Sequence, residues 1–194
     1  PAERGNEPSL LLRLAQKFPK KRFLVVHRID RQTSGILLFA RDEASHRLAN
    51  GWFSKHGVTK EYLALARGDP RLPAFRVNHP IDGKPSLSQI QVGERFRPEG
   101  QSAFLARVRM ATGRKHQIRI HLEAEGFPIL GDTRYGGPET FAGIRFGRFA
   151  LHAERLVLPK EGESPTIEIR APLPADFEAW MRSLREKSGG GSSG

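Results

Sequence analysis

Phe23-Leu24-Val25-Val26-His27-Arg28-Ile29-Asp30-Arg31-Gln32-Thr33-Ser34-Gly35-Ile36-Leu37-Leu38-Phe39-Ala40 is the stretch on which the reading of this chain turns. Two apolar runs, 23–26 and 35–40, flank a polar loop, and each has the length and composition of a short strand. Loops between strands are where functional side chains concentrate. This one holds a single acid, Asp30, among Arg28, Arg31 and several hydrogen-bonding groups. Nearby cations favour the ionised carboxylate, and an ionised, held carboxylate can act as nucleophile or base. A loop acid in a surface salt bridge is the commoner arrangement, so this segment needs support from elsewhere.

Outward from the loop, the chain alternates helices and strands. Toward the N-terminus, Ser9 is placed to cap a short helix, with Leu10, Leu11, Leu14 and Phe18 at helical spacing before Pro19. Toward the C-terminus, Asp42 opens a helix to about Lys55, with Ala44, Leu48, Trp52 and Phe53 as its inward face and Gly57 as its stop. Segments 62–66 and 104–110 read as strands, with weaker strands near Val77 and Ile90 in a Pro- and Gly-rich region. The pattern predicts a helix over 115–125 with Ile118, Ile120 and Leu122 facing the core. It then predicts strands over 149–158 and 166–170, and a final helix over 176–185. The tail 188–194, SGGGSSG, reads as a flexible linker or appendage, leaving 1–187 as one folded domain. Elements interleaved without strict βαβ regularity predict an α+β fold, a mixed and largely antiparallel sheet flanked by helices.

Composition narrows the function classes. A chain of 194 residues with 38% hydrophobic content can bury one core. Cysteine is absent, which excludes disulfides, thiolate metal sites and cysteine nucleophiles. No apolar run of membrane-spanning length and no secretory signal pattern is present, so the expected location is the cytoplasm, or an organelle if a targeting segment was removed. Thirty-two Lys and Arg against 21 Asp and Glu give a net charge of +11. That excess predicts a polyanionic partner, nucleic acid ahead of membrane.

Two further segments carry chemistry. In Ala111-Thr112-Gly113-Arg114-Lys115-His116-Gln117-Ile118-Arg119-Ile120-His121-Leu122, Thr112 stands where a helix cap belongs. Lys115 and Arg119 share a face at i, i+4 spacing, a repulsive pair unless an anion lies there; a solvated basic face is the plainer alternative. His116 and His121 are five apart, off a common helical face and without a completing acid, so no metal is expected. In Lys60-Glu61-Tyr62-Leu63-Ala64-Leu65, strand alternation puts Tyr62 with Ala64 and opposite the leucines. A tyrosine so placed can stack on a base, although half-buried packing is more common.

Together and in this order, the segments resemble the RluA-type pseudouridine synthase family. HRIDRQTSGILLFAR resembles its catalytic motif, KEYLAL its tyrosine strand and TGRKHQIRIHL its arginine helix; GDTRYGG at 131–137 and FALHAERL at 149–156 match later segments. The resemblance covers roughly residues 9 to 182. It implies a pseudouridine synthase catalytic fold with a central basic cleft, acting on uridines of structured RNA, ribosomal or transfer, without cofactor or metal and as a monomer. It assigns Asp30 as the catalytic aspartate, Tyr62 as the residue stacking on uracil and serving proton transfer at C5, and Arg119 as the ion-pair partner of Asp30. Arg28 matches an arginine that enters the RNA stack, and Ile118 an apolar residue beside the flipped base. Arg31, Arg114, Lys115 and His116 join them as expected RNA contacts.

The family also has an apolar strand with a Lys-Pro turn upstream of the point matching Pro1. A separate basic domain of the S4 type is not expected ahead of Ser9, and target choice is expected to fall to the basic surface, including Arg95, Arg97, Arg107, Arg109, Arg145 and Arg148. The competing reading is a non-catalytic RNA-binding or ribosome-assembly module that retains the fold.

Overall fold

In the computed structural model, residues 9–55, 57–159 and 166–189 are described. In chain order the elements are α1 (Leu10–Lys17), β1 (Leu24–Val25), β2 (Ser34–Gly35), β3 (Phe39–Ala40), α2 (Glu43–Ser54), β4 (Thr59–Arg67), β5 (Ala74–Val77) and β6 (Ser88–Phe96). There follow β7 (Ala103–Met110), α3 (Gln117–Ala124), β8 (Thr140–Phe141), β9 (Ile144–Arg145), β10 (Leu151–Leu158), β11 (Ile167–Arg170) and α4 (Ala175–Gly189). They form two compact units. One combines the described residues up to Arg28 with Leu37–Gly57; the other combines Ile29–Ile36 with the chain from Val58 onward.

The smaller unit contains α1, α2 and the β1–β3 pair, in which Leu24 lies opposite Ala40 and Val25 opposite Phe39. Both helices start on side-chain caps: Ser9 Oγ accepts from Leu12 N, and Asp42 Oδ1 from Ser45 N at 2.7 Å. Val26, Ala40 and Ala49 form its core, with Leu24, Leu38, Trp52 and Phe53 packed against them. The inward face of α2 is therefore Ala49, Trp52 and Phe53. Ala44 and Leu48, expected to point inward, are exposed. The buried stripe is about one position out of phase with the apolar count, with Ala49 in the place expected of Leu48.

The larger unit is built on a sheet ordered β11-β10-β4-β7-β6-β5, antiparallel throughout, to which β2 adds a parallel pairing with His152 and Ala153 of β10. Central strand β4 is buried on both faces from Tyr62 to Ala66. Its apolar run is accordingly almost continuous rather than alternating. Helix α4 closes the unit with Phe177, Trp180, Met181 and Leu184, an i, i+3, i+4, i+7 stripe whose members are all buried. This architecture is the mixed, largely antiparallel α+β fold that the sequence implies.

Two boundaries are corrected. The run 35–40 is not one strand: β2 joins the large sheet and β3 pairs with β1. The break is at Gly35, whose φ of +105° suits glycine, and where a Cβ would overlap the carbonyl of Ala153. At the other end, α4 runs to Gly189, past the helix end expected at 185. Ser188 Oγ donates to Leu184 O at 2.6 Å and accepts from Arg97 N at 2.9 Å, which fastens that turn. Residues 190–194 of the tail lie outside the described residues.

Candidate active site

The loop 29–36 is held by its backbone before any side chain is considered. Thr33 N donates to Asp30 O at 2.9 Å, closing a turn, and Ile36 N donates to Ala153 O at 3.0 Å. The carboxylate of Asp30 then faces α3. Its Oδ2 accepts from Arg119 Nη1 at 3.3 Å across 89 positions of sequence, and its Oδ1 lies 3.8 Å from His116 Nε2. The Asp30 side chain is 17% exposed against 7% for Arg119, so the acid keeps a solvent-facing side that the guanidinium lacks.

Arg119 is aimed by a second acid that the sequence reading gave no role. Asp132, in the GDTRYGG segment, is 2% exposed and takes Arg119 Nε at 2.6 Å and Nη2 at 2.8 Å in a two-pronged pair. The guanidinium carbon also lies 4.2 Å from the Phe149 ring centroid and 4.7 Å from that of Tyr135. Burial alone would make Arg119 easier to deprotonate, but the hydrogen bonds and charges of Asp132 and Asp30 hold its pKa above the ordinary value. Arg119 is a permanent cation between two acids. The signal for Asp132 lay in the sequence, as the only acid of a quoted motif.

The approach to α3 differs from the expectation. Thr112 does not cap the helix; its hydroxyl donates to Gln117 Oε1 at 2.8 Å and accepts from Leu87 N at 3.0 Å. Gln117 is the anchor: Oε1 also accepts from Arg114 N, and Nε2 donates to Leu87 O and Ser88 Oγ. His116 occupies the cap position with φ of 57°, a left-handed conformation that costs about 1 kcal/mol or more outside glycine. Because the helix begins at Gln117, Lys115 is exposed in the preceding turn while Arg119 is buried. The repulsive i, i+4 pair does not form. His116 Nδ1 is 2.8 Å from the Tyr135 hydroxyl. Burial lowers the His116 pKa, with Arg119, Arg134 and Lys115 adding to the effect and Asp30 opposing it.

Tyr62 of β4 is 8% exposed, and its phenol is pushed up to about 12, first by burial and then by the negative charge of Asp30. It is therefore a neutral phenol at neutral pH. Arg28 and Arg31 are exposed, Arg114 is half-buried and donates to Pro85 O, and Ile118 is 3% exposed in the core. Of the arginines expected on a free basic surface, most are engaged: Arg95 and Arg97 with Asp69, Arg107 with Glu154, Arg145 with Glu139 and Arg148 with Asp176. Arg109 donates to Thr59 Oγ1. Among the described residues, no group of three His, Asp or Glu side chains is arranged to hold a metal ion, and no helix is long and apolar enough to cross a membrane.

Residues 3–124 match the family described as RNA pseudouridylate synthase. The chain belongs to that family. Among its relatives, the ribosomal large subunit pseudouridine synthase C of Salmonella typhi is 35% identical over 192 residues, covering 88% of this chain and 59% of the relative. An uncharacterized RNA pseudouridine synthase of Bacillus subtilis, YlyB, is 34% identical over 178 residues, 84% of this chain and 56% of the relative. The chain thus spans less than three fifths of the length of these curated relatives. The solved structure of human RNA pseudouridylate synthase domain containing 1 superposes with a TM-score of 0.72 at 29% identity, covering 91% of this chain and 85% of that one. Pseudouridylate synthase membership agrees with the α+β fold and the position of the Asp30 loop against the large sheet.

Proposed function

We propose that this chain isomerises specific uridines to pseudouridine in structured RNA. The observation that carries the reading is the Asp30 carboxylate held against the Arg119 guanidinium. Asp30 is the reacting group, Arg119 its ion-pair partner, and Tyr62 the platform on which the uracil stacks. A phenol with its pKa at about 12 favours stacking over service as a free base at C5.

The chemistry is an isomerisation, so atoms balance within the substrate. A uridine leaves its stack at a cost of a few kcal/mol. Asp30 either attacks C1′, forming an ester that breaks when C5 bonds to C1′, or removes a C2′ proton that returns once the C1′–C5 bond has formed. By either route the C1′–N1 bond breaks, the uracil turns, N1 takes up a proton and the C5 proton leaves to solvent. Arg28 enters the vacated stack, where a guanidinium offsets part of the cost. Arg31, Arg114 and Lys115 contact the backbone, and His116 and Ile118 shape the pocket wall. The name of the Salmonella relative supports ribosomal over transfer RNA as target. The working form is a monomer in the cytoplasm, with residues 1–187 as the catalytic domain.

The test is tritium release from RNA carrying 5-tritiated uridine. We expect wild type to release one proton per pseudouridine, and Asp30→Asn to release none while binding RNA with similar affinity. Turnover by Asp30→Asn would sink the assignment, and no release by wild type would favour a non-catalytic RNA-binding module.

A further inference from the structure

We propose that Arg148 is a positioning residue for the Asp30 loop, and that Asp176 at the start of α4 holds it there. The inference rests on the reading of Asp30 as the reacting carboxylate and adds a residue that contacts neither Asp30 nor Arg119. Arg148 spans two distant pieces of chain. Its Nε and Nη2 donate to Asp176 at 2.7 and 2.9 Å. The same guanidinium reaches the loop, Nη1 donating to Gln32 O at 3.0 Å and Nη2, shared with Asp176, to Ser34 Oγ at 3.2 Å. Nη1 also lies 3.3 and 3.4 Å from the carbonyls of Phe149 and Leu151, and the guanidinium sits 5.3 Å from the Trp180 ring centroid.

The two loop contacts bracket the buried Thr33, whose amide closes the turn begun at Asp30. Ser34 Oγ is in turn 2.9 Å from Nδ1 of His152, a residue 1% exposed on β10. The loop that presents Asp30 is thereby fastened from one side by β10 and from the other by α4, with Arg148 as the joint. Only a planar fork with five donors makes both sets of contacts. Lysine can keep the ion pair with Asp176 but has no second prong for the loop. Reacting groups displaced by about 1 Å lose up to ~100-fold in rate, so a loosened loop should affect the chemical step more than RNA binding.

The variant to make is Arg148→Lys, tested on a large-subunit ribosomal RNA transcript carrying 5-tritiated uridine. We expect kcat to fall roughly 10- to 100-fold with KM within about twofold. Amide exchange at Thr33 and Ile36 should rise about tenfold or more, while exchange in β4 and β7 stays as in wild type. Wild-type kcat overturns the proposal, and so does an equal rise of exchange throughout the sheet, which marks a merely structural arginine. Should Arg148→Lys fail to fold, Ser34→Ala removes one anchor and is read the same way, with a smaller loss expected and wild-type kcat again overturning the idea. Exchange needs no turnover, so an inactive wild type would defeat the synthase reading and still leave the anchoring decided.

Discussion

Arg119 is a buried guanidinium shared between two acids. The residue is 6% exposed, and its guanidinium serves two carboxylates, one of them on Asp132, a residue 2% exposed. Deleting it leaves Asp132 as a buried charge without a partner, and breaking a buried pair in this way costs about 3–5 kcal/mol. We expect Arg119→Ala to lose that much in urea unfolding and to lose activity. The double variant Arg119→Met with Asp132→Leu should be more stable than Arg119→Ala, because no buried charge is stranded, yet equally inactive. Equal instability of the two would show that a stranded Asp132 charge is not what makes Arg119→Ala unstable. Asp30 and Arg119 were legible as a pair from their motifs. Asp132 stood in GDTRYGG as its only acid, but nothing around it marked it as the partner of Arg119, since a carboxylate that orients an arginine looks in sequence like any turn acid.

At the scale of elements, the junction of α3 with β6 is a polar seam inside an apolar unit. His121 is fully buried, with Nδ1 2.9 Å from Ser88 Oγ and Nε2 3.1 Å from the carbonyl of His79. A carbonyl can only accept, so Nε2 carries the proton and Nδ1 accepts from Ser88. Burial lowers the His121 pKa from 6.5, opposed by the His79 carbonyl and Glu125 and aided by His79 itself; His116 and His152 are lowered for the same leading reason. The sign follows from linkage. Below about pH 6.5 the unfolded chain takes up protons that the folded chain refuses, so stability falls by up to about 1.4 kcal/mol per pH unit for each histidine. Above that pH the contribution is flat. Denaturant midpoints between pH 7.5 and 5 should drop in wild type and drop less steeply in His121→Gln. A parallel slope in the variant would remove His121 from the account. Sequence periodicity located α3 because its apolar positions are strong. It missed the start by two residues because Gln117, a side chain with no capping reputation, does the anchoring from inside the helix. The strand break at Gly35 was hidden for a related reason: an apolar run records burial, not which sheet receives it.

Over the protein as a whole, the count of 32 Lys and Arg overstates the cations left for a polyanion, because many are paired with acids. Arg107 is committed to Glu154, Arg145 to Glu139, and Arg185 to Glu94 through two 2.7 Å contacts. Lys115, by contrast, is exposed in the turn just before α3, next to the residue that faces Asp30. Lys115→Gln and Arg107→Gln each lower the net charge by one, so any difference between them reports contact rather than overall field. Binding of structured RNA releases counterions in proportion to the phosphates contacted. We expect Lys115→Gln to reduce the slope of log affinity against log salt by about one, and Arg107→Gln to leave it unchanged. Identical slopes for the two variants would mean that RNA reads the charge of this surface as a sum, and that the turn before α3 has no privileged place in binding.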